Sequence, residues 1–394
     1  RGGAEAVFLA HNEMFEADGW NVIPFCMHHE KNLPSQWEQY FVEEIELGSD
    51  YGPLERIRKS LRAIYSREAQ QKIGALADRT SPAIAHAHNI YHHISPSILS
   101  TLRDRGIPVV LTTHDLKIAC PAYRMINRHG ICERCKGGRI YNAALNRCMH
   151  RSFALSSWVS VEAYVHRFLK SYVRCVNRFI VPSRFYVEKF VEWGWPSSKM
   201  AYVPNFIDAA EIRRGEGTRT GFVYFGRLSP EKGIETLVRA SALSGENVRI
   251  LGTGPDSDRL RELAVGLNAP VEFMGFVSGE PLFDCLREAR AVVLPSEWYE
   301  NAPISVLEAF AAGTPVIGAE IGGIPELITP DRGRTFEAFS VHALAAAMRE
   351  VSGLSDLELQ AMGDAAREYV ESTHSKRQYL QSCSRVYEEI LGAE

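Results

Sequence analysis

Nowhere does the 394-residue chain approach the run of about eighteen apolar residues that a membrane-crossing helix needs. Its opening residues, RGGAEAVFLAHNE, do not read as a secretory signal either, so residence in the cytoplasm is expected. Charge of one sign is also scarce. Lys and Arg number 44 against 48 Asp and Glu, a formal charge of −4, which gives no case for nucleic acid as a partner. No repeat of solenoid length and no low-complexity tract interrupts the chain. The common nucleotide motifs are missing too. LGTGP, Leu251 to Pro255, lacks the spacing of a dinucleotide fingerprint, and no Gly-Lys-Ser/Thr follows it as a phosphate loop requires.

What is present is ordinary globular composition, 45% hydrophobic and 23% charged, in a chain too long for one core. The second half alternates short β-branched runs (GFVYFGRL, VRILGTGP, VEFMGFV, AVVLPS, TPVIGA) with helical segments of about ten residues, the pattern of a parallel sheet covered by helices. The first half repeats the beat through NVIPF, a long helix-like GPLERIRKSLRAIYSREAQQKIGALADR, AIAHAHN, IPVVLTTHD and CVNRFIVPS. Expected boundaries are a first Rossmann-like domain over 1–208, a polar linker over 209–220, a second over 221–373, and a terminal segment, 374–394, returning to the first. A glycine loop feeding a helix normally follows a strand, so a short first strand is expected to be absent before Arg1.

Two such domains imply a cleft, and in open α/β sheets ligands sit beyond the carboxyl ends of strands. Arg227 and Lys232, in FGRLSPEKG, follow a strand and precede a helix, where two cations beside free backbone amides make a pyrophosphate seat; surface cations at a turn are the plainer alternative. Gly254 lies in the next strand-end turn. Asp256 and Asp258 match a divalent-metal pattern but fall at a helix start, where capping explains them. Glu300 stands in the loop beyond AVVLPS, Pro303 suits a helix start, and Glu308 lies about a turn further on. Asn301, Ala302, Pro303 and Ile304 then present their backbone toward the cleft, with two carboxylates to accept sugar hydroxyls. An acidic helix start favoured by the macrodipole is the alternative. Across the cleft, His114 and Asp115 end the strand IPVVLTT, and His86, His88, His92 and His93 cluster near another strand end. No carboxylate is interleaved among these histidines, which argues against metal there. Gly2 and Gly3 permit close backbone approach to a ligand.

Eight cysteines are present, and four of them, Cys120, Cys132, Cys135 and Cys148, share one segment. Disulfides do not suit a cytoplasmic chain. A Cys-x2-Cys pair flanked by two more can close a tetrahedral zinc site, and reduced, unligated thiols are the alternative. The same region, about 117–178, holds twelve Lys or Arg against two Glu. It could face anionic lipid or a phosphate-bearing acceptor, or simply be a solvated basic face. Its run FALSSWVSVEAYVHRFLKSYV has aromatics and bases near helical spacing, suiting either a membrane surface or ordinary packing.

In order and spacing, RGGAE, TTHD, VPNFID, FGRLSPEKG, LGTGP, the E-x7-E segment ENAPISVLEAFAAGTPVIG and GGIPELI resemble the retaining nucleotide-sugar glycosyltransferases of family 4. The resemblance spans nearly the whole chain and implies the GT-B fold, two Rossmann-like parallel-sheet domains facing each other across a cleft. It also implies a hexosyltransferase-type enzyme needing no cofactor for chemistry. Arg227 and Lys232 would bind the donor diphosphate, Glu300 a donor-sugar hydroxyl and Glu308 the ribose. Gly3 would approach the diphosphate or acceptor, and His114 would lie beside the reacting sugar. Partners would be a nucleotide sugar and a glycan or lipid-linked glycan, in surface polysaccharide or glycoconjugate synthesis, with the basic first domain peripheral at the inner membrane face. Asn301-Ala302-Pro303 departs from the Pro-Phe-Gly common after the first glutamate, and Phe206 replaces a glycine. A catalytically silent sugar-nucleotide-binding module and a sugar phosphorylase are the rival functions.

Overall fold

The structure, a computed structural model, describes residues 3–45, 52–215 and 217–392. In the first half, β1 (Ala85–His88) and β2 (Val109–Thr112) precede a small hairpin, β3 (Ile126–Asn127) and β4 (Gly130–Ile131). After it come β5 (Arg178–Val181) and β6 (Met200–Tyr202), and the parallel sheet runs β1-β2-β5-β6. In the second half, β7 (Phe222–Phe225), β8 (Val248–Leu251), β9 (Val271–Gly275), β10 (Ala291–Leu294), β11 (Val316–Ala319) and β12 (Gly333–Phe336) form a second parallel sheet. Its order is β12-β11-β10-β7-β8-β9. Central strands such as β2, β10 and β11 are buried along their whole length, as the continuous apolar runs VVLT, AVVL and VIGA require when helices cover both faces.

Strand order reverses between β7 and β10. The loops leaving those two strands therefore emerge side by side, although about seventy residues separate them in sequence. They are knitted together: the Glu297 N–H donates to the Glu231 carbonyl at 2.9 Å. Gly233 has φ +67°, and a Cβ there would lie 1.9 Å from the Pro295 carbonyl oxygen, so only glycine permits this approach.

Two expected elements differ. NVIPF forms no strand; a lone parallel bridge, Met27 to Val42, is the only pairing in that neighbourhood among the described residues. An apolar cavity of about 220 Å³, lined by Val22, Phe25, Ala85 and Ala87 among others, separates this segment from β1. Without a neighbouring edge to bond, a β-favouring sequence stays irregular. The long helix divides into Pro53–Ile64 and Arg67–Thr80, because Ser66 turns out of helical geometry and caps the second piece by accepting from the Ala69 N–H at 3.0 Å. The start of the expected linker is packed. Ala209 and Ile212 join the second core, and the Arg367 guanidinium donates to the carbonyls of Ala209, Ile212 and Ala311.

The terminal helix, Lys376–Leu391, packs against the first half. Its Tyr379, Cys383, Val386, Tyr387 and Ile390 form one cluster with Val7, Phe15, Val110 and Ile180.

Candidate active site

The crevice beside β7 and β10 brings Lys232 and Glu300 into direct contact, Nζ to Oε1 at 2.7 Å. Ser296 donates its hydroxyl to the same oxygen at 2.7 Å. Burial alone would raise the Glu300 carboxyl, which is 6% exposed, but the Lys232 charge and these hydrogen bonds outweigh it and hold the group below its ordinary value. Glu300 is thus an ionised carboxylate at the floor of the crevice. Arg227, at the end of β7, is exposed at the same crevice. Gly254 reaches it too: a Cβ there would meet the Leu228 carbonyl oxygen at 2.1 Å, so glycine lets the two loops stack backbone on backbone. Its own N–H is already donated to Ser257 Oγ at 3.1 Å. Asp256 precedes the helix Ser257–Gly266 without a side-chain capping bond and instead pairs with Arg259 at 2.9 Å.

Pro303 is the N-cap of the helix Ile304–Ala311, one position earlier than a first-turn proline. By helix geometry the first amides, at Ile304 and Ser305, have no intrahelical acceptor. Glu308 lies in the helix interior, where burial pushes its carboxyl up to about 7. The two glutamates of the E-x7-E segment therefore differ in protonation: Glu300 is ionised by its lysine, whereas Glu308 titrates near neutrality.

The loop carrying Glu300 is gripped from the other domain. Tyr186 donates its hydroxyl to the Tyr299 carbonyl at 2.9 Å, and Asn205 its amide to the Ala302 carbonyl at 2.8 Å. Between them the Asn301 side chain accepts from Ser183 Oγ at 2.8 Å and donates to the carbonyls of Thr113 (2.9 Å) and His114 (3.4 Å). Beyond the backbone role expected of Asn301, its side chain ties that loop to the strand end opposite. Further contacts cross the cleft. Arg124 reaches Glu231 at 3.5 Å, Tyr299 donates to Glu133 at 3.0 Å, and Glu326 accepts the N–H groups of Arg184 and Phe185 at the start of a first-domain helix. Sequence reading missed Tyr186, Ser183, Glu133 and Glu326. The signal for Ser183 was its place just beyond β5, a strand end like the others.

His114 stands just beyond β2, and its Nε2 lies 2.9 Å from His88 Nδ1. Burial lowers His114 to about 4, so the ring is neutral near pH 7. Behind it, His88 and His86 lie tilted on one another with ring centroids 4.4 Å apart, and His11 meets His86 edge to face at 4.7 Å. Gly3 opens the helix Gly3–Ala17 that carries His11; Gly2 lies outside the described residues.

Three of these histidines form a metal-like group. His11, His86 and His88 bring one ring nitrogen each within 4.8 Å of the others. Most of those nitrogens already have partners: His86 bonds Tyr387 and Thr112, and His11 bonds Tyr379 and Tyr387. Only His88 Nε2 is buried without one. The four cysteines expected to bind zinc, Cys120, Cys132, Cys135 and Cys148, are brought together closely enough to raise one another's thiols, while no three of their sulfurs meet the 4.8 Å spacing among the described residues. A tetrahedral site with Zn–S of about 2.3 Å needs sulfurs roughly 3.8 Å apart. All eight cysteines are free thiols. Burial, reinforced by Cys120, Cys148 and Cys132, pushes Cys135 up to about 12, and burial takes Cys148 to about 11, so both are held as neutral thiols.

Comparison with known proteins adds a family to this geometry. Residues 1–211 match the model of Glycosyltransferase Family 4, and residues 209–369 that of the glycosyl transferases group 1. An uncharacterized glycosyltransferase of Methanocaldococcus jannaschii is 31% identical over 51% of this chain and 56% of its own length. A glycogen synthase of Mycobacterium tuberculosis is 29% identical over 71% of this chain and 68% of its own. Among solved structures, a sucrose-phosphate synthase from Thermosynechococcus elongatus superposes with a TM-score of 0.74 at 19% identity, over 100% of this chain and 94% of that one. Anabaena HepE in complex with UDP-glucose gives 0.65 at 16% identity, over 98% and 96%. At such identities the structures speak for the fold alone.

Proposed function

The chain belongs to Glycosyltransferase Family 4, and from that premise we propose that it moves a hexose, with retention, from a nucleotide sugar to a glycan or lipid-linked glycan. The observation that carries this reading is the contact of Lys232 with Glu300 at the reversal of the second sheet, beneath a loop bonded to the backbone of His114. A sugar diphosphate lying along that crevice sets its phosphates against Arg227, Lys232 and the amides of Ile304 and Ser305. Its sugar lies against the Glu300 carboxylate, and its ribose against Glu308.

In the reaction the bond from the anomeric carbon to the diphosphate oxygen breaks as positive charge develops on the sugar. Arg227 and Lys232 stabilise the departing negative charge. The acceptor hydroxyl attacks on the face the diphosphate leaves, a new carbon–oxygen bond forms there, and the acceptor proton passes to the diphosphate. Neutral His114 orients the sugar by hydrogen bonding without adding a second positive charge. A glycosidase using paired carboxylates has no role for Arg227 and Lys232. The relatives' names include a GDP-mannose-dependent transferase, and HepE was solved with UDP-glucose, so both bases belong in the trial.

The test is a panel of UDP- and GDP-sugars scored by melting shift and then by turnover. Wild-type chain should hydrolyse or transfer at least one of them. Glu300→Gln and Lys232→Met should each reduce turnover by two orders of magnitude or more, on the order seen when a transition-state charge partner is removed. Release of sugar 1-phosphate from a glycan by inorganic phosphate, with no nucleotide sugar turned over, would overturn the reading in favour of a phosphorylase. Tight donor binding without turnover on any acceptor would leave a binding module.

A further inference from the structure

The helix Phe153–Phe168 buries mostly polar side chains. Beside Val159, the residues Ser156, Ser160, Glu162 and His166 face the protein, all buried. Each is satisfied: Ser156 donates to the Ser152 carbonyl at 2.6 Å, Ser160 to the Ser156 carbonyl at 2.7 Å, and Glu162 pairs with Lys117 at 2.7 Å. His166 bonds Ser171 and the Ile64 carbonyl. Facing outward, at spacings of three, four and eight residues, run Phe153, Val161, Tyr164 and Phe168, with exposures of 57%, 52%, 39% and 86%. An amphipathic surface helix normally shows the reverse arrangement. Here the polar side is fully bonded inside, so the apolar side is not a core face left in water by mispacking.

Charge says what covers it. From Arg134 to Arg178 the chain holds nine Lys or Arg and a single acid, Glu162, which is buried against Lys117. Arg151, Arg167, Lys170 and Arg174 are exposed at or beyond the ends of the apolar stripe. Beside it, Arg167, Lys170 and Val173 rim a cavity of about 580 Å³. A second copy of this face would set arginines against arginines with no carboxylate between them. An anionic surface would answer every base. No helix among the described residues is long and apolar enough to cross a bilayer, so the stripe can only lie along one.

We propose that the outward face of the helix Phe153–Phe168 is a docking surface for an anionic phospholipid membrane. Its aromatic and aliphatic side chains enter the interface, and the flanking arginines meet lipid phosphates. This holds whether or not the transferase reading does, because none of these residues lies in the crevice.

Flotation of the full chain with vesicles tests it. Vesicles of phosphatidylcholine and phosphatidylglycerol in equal parts should carry the protein, and vesicles of phosphatidylcholine alone should carry far less. High salt should weaken the binding. Arg167→Ala with Arg174→Ala should lower affinity about fivefold for each base removed. Val161→Ser with Phe168→Ser should abolish flotation while leaving the melting temperature and the solution hydrolysis of donor unchanged. Absence of flotation with anionic vesicles, or equal flotation with both compositions, would overturn the proposal. So would wild-type flotation by the serine variant, or a wild-type dimer in solution that the serine variant dissolves.

Discussion

At the scale of single residues, the two carboxylates of the E-x7-E segment have been driven in opposite directions by their surroundings. Glu300 has a lysine 2.7 Å away and stays ionised despite its burial. Glu308 has burial as its one perturbing cause, and its carboxyl rises from 4.5 to about 7. The sign of the consequence follows directly. Between those two values the unfolded chain has released this proton while the folded chain retains it. Stability contributed by Glu308 is therefore greatest at low pH and falls as pH rises, the whole penalty being present above about 7. The penalty is at most about 3 kcal/mol, from the free energy equivalent of such a shift. Glu308→Gln keeps the carbonyl acceptor and removes the titration. Urea unfolding of the two proteins at intervals from pH 5 to pH 8 should show the variant gaining on the wild type as pH rises. Parallel curves over that range would mean that Glu308 is not buried as the structure has it.

At the scale of elements, the deciding feature is a reversal of strand order, which no local pattern announces. Five of the second sheet's six strands were legible as short runs rich in apolar and β-branched residues, whereas β12, with the sequence GRTF, carries no such run and was not read. The pairing of β7 with β10 was not legible either, and that pairing makes Lys232 and Glu300 neighbours instead of two separate ligands. The resemblance supplied the residues; the topology supplied their contact. NVIPF failed for the opposite reason, since its strand character depended on an edge it does not reach. Asn301 shows a third limit. Its place in the loop was readable, but the direction of its side chain depends on Ser183 and Thr113, more than a hundred residues away. Asn301→Ala removes those bonds without touching the crevice. At about 1 kcal/mol for each of these two hydrogen bonds, the equilibrium toward the clamped position of the loop should fall roughly thirtyfold. Donor turnover should fall by about that factor while the melting temperature moves little. Hydrogen exchange read on peptides containing Thr113 and Asn301 should rise together; a rise in one domain alone would show that the side chain does not couple them.

At the scale of the whole molecule, the chain crosses between its halves twice, once through the packed segment near Arg219 and once through its terminal helix. The second crossing matters most for the first sheet. Strands β2 and β5 put Val110 and Ile180 into the cluster that Tyr379, Cys383, Val386, Tyr387 and Ile390 close from outside. Phe206 stacks on Tyr379 with ring centroids 4.4 Å apart, and Tyr387 is the hydroxyl partner of both His86 and His11. The helix is thus one wall of the first domain's core and also the support behind the row of histidines that ends at His114. The second domain borrows nothing from the terminal helix, because its own cluster runs from Ala209 to Val370. Ending the chain before Lys376 should therefore damage the two halves unequally. The second half should keep a cooperative thermal transition and, on the function proposed above, donor binding through Lys232 and Glu300. The first half should lose its transition, expose the Val110 and Ile180 faces, and bind a hydrophobic dye. Calorimetry of the truncated chain beside the intact one separates these outcomes. Loss of both transitions together would mean that the halves fold as one cooperative unit, and retention of both would mean that the helix only rests on the sheet instead of completing its core.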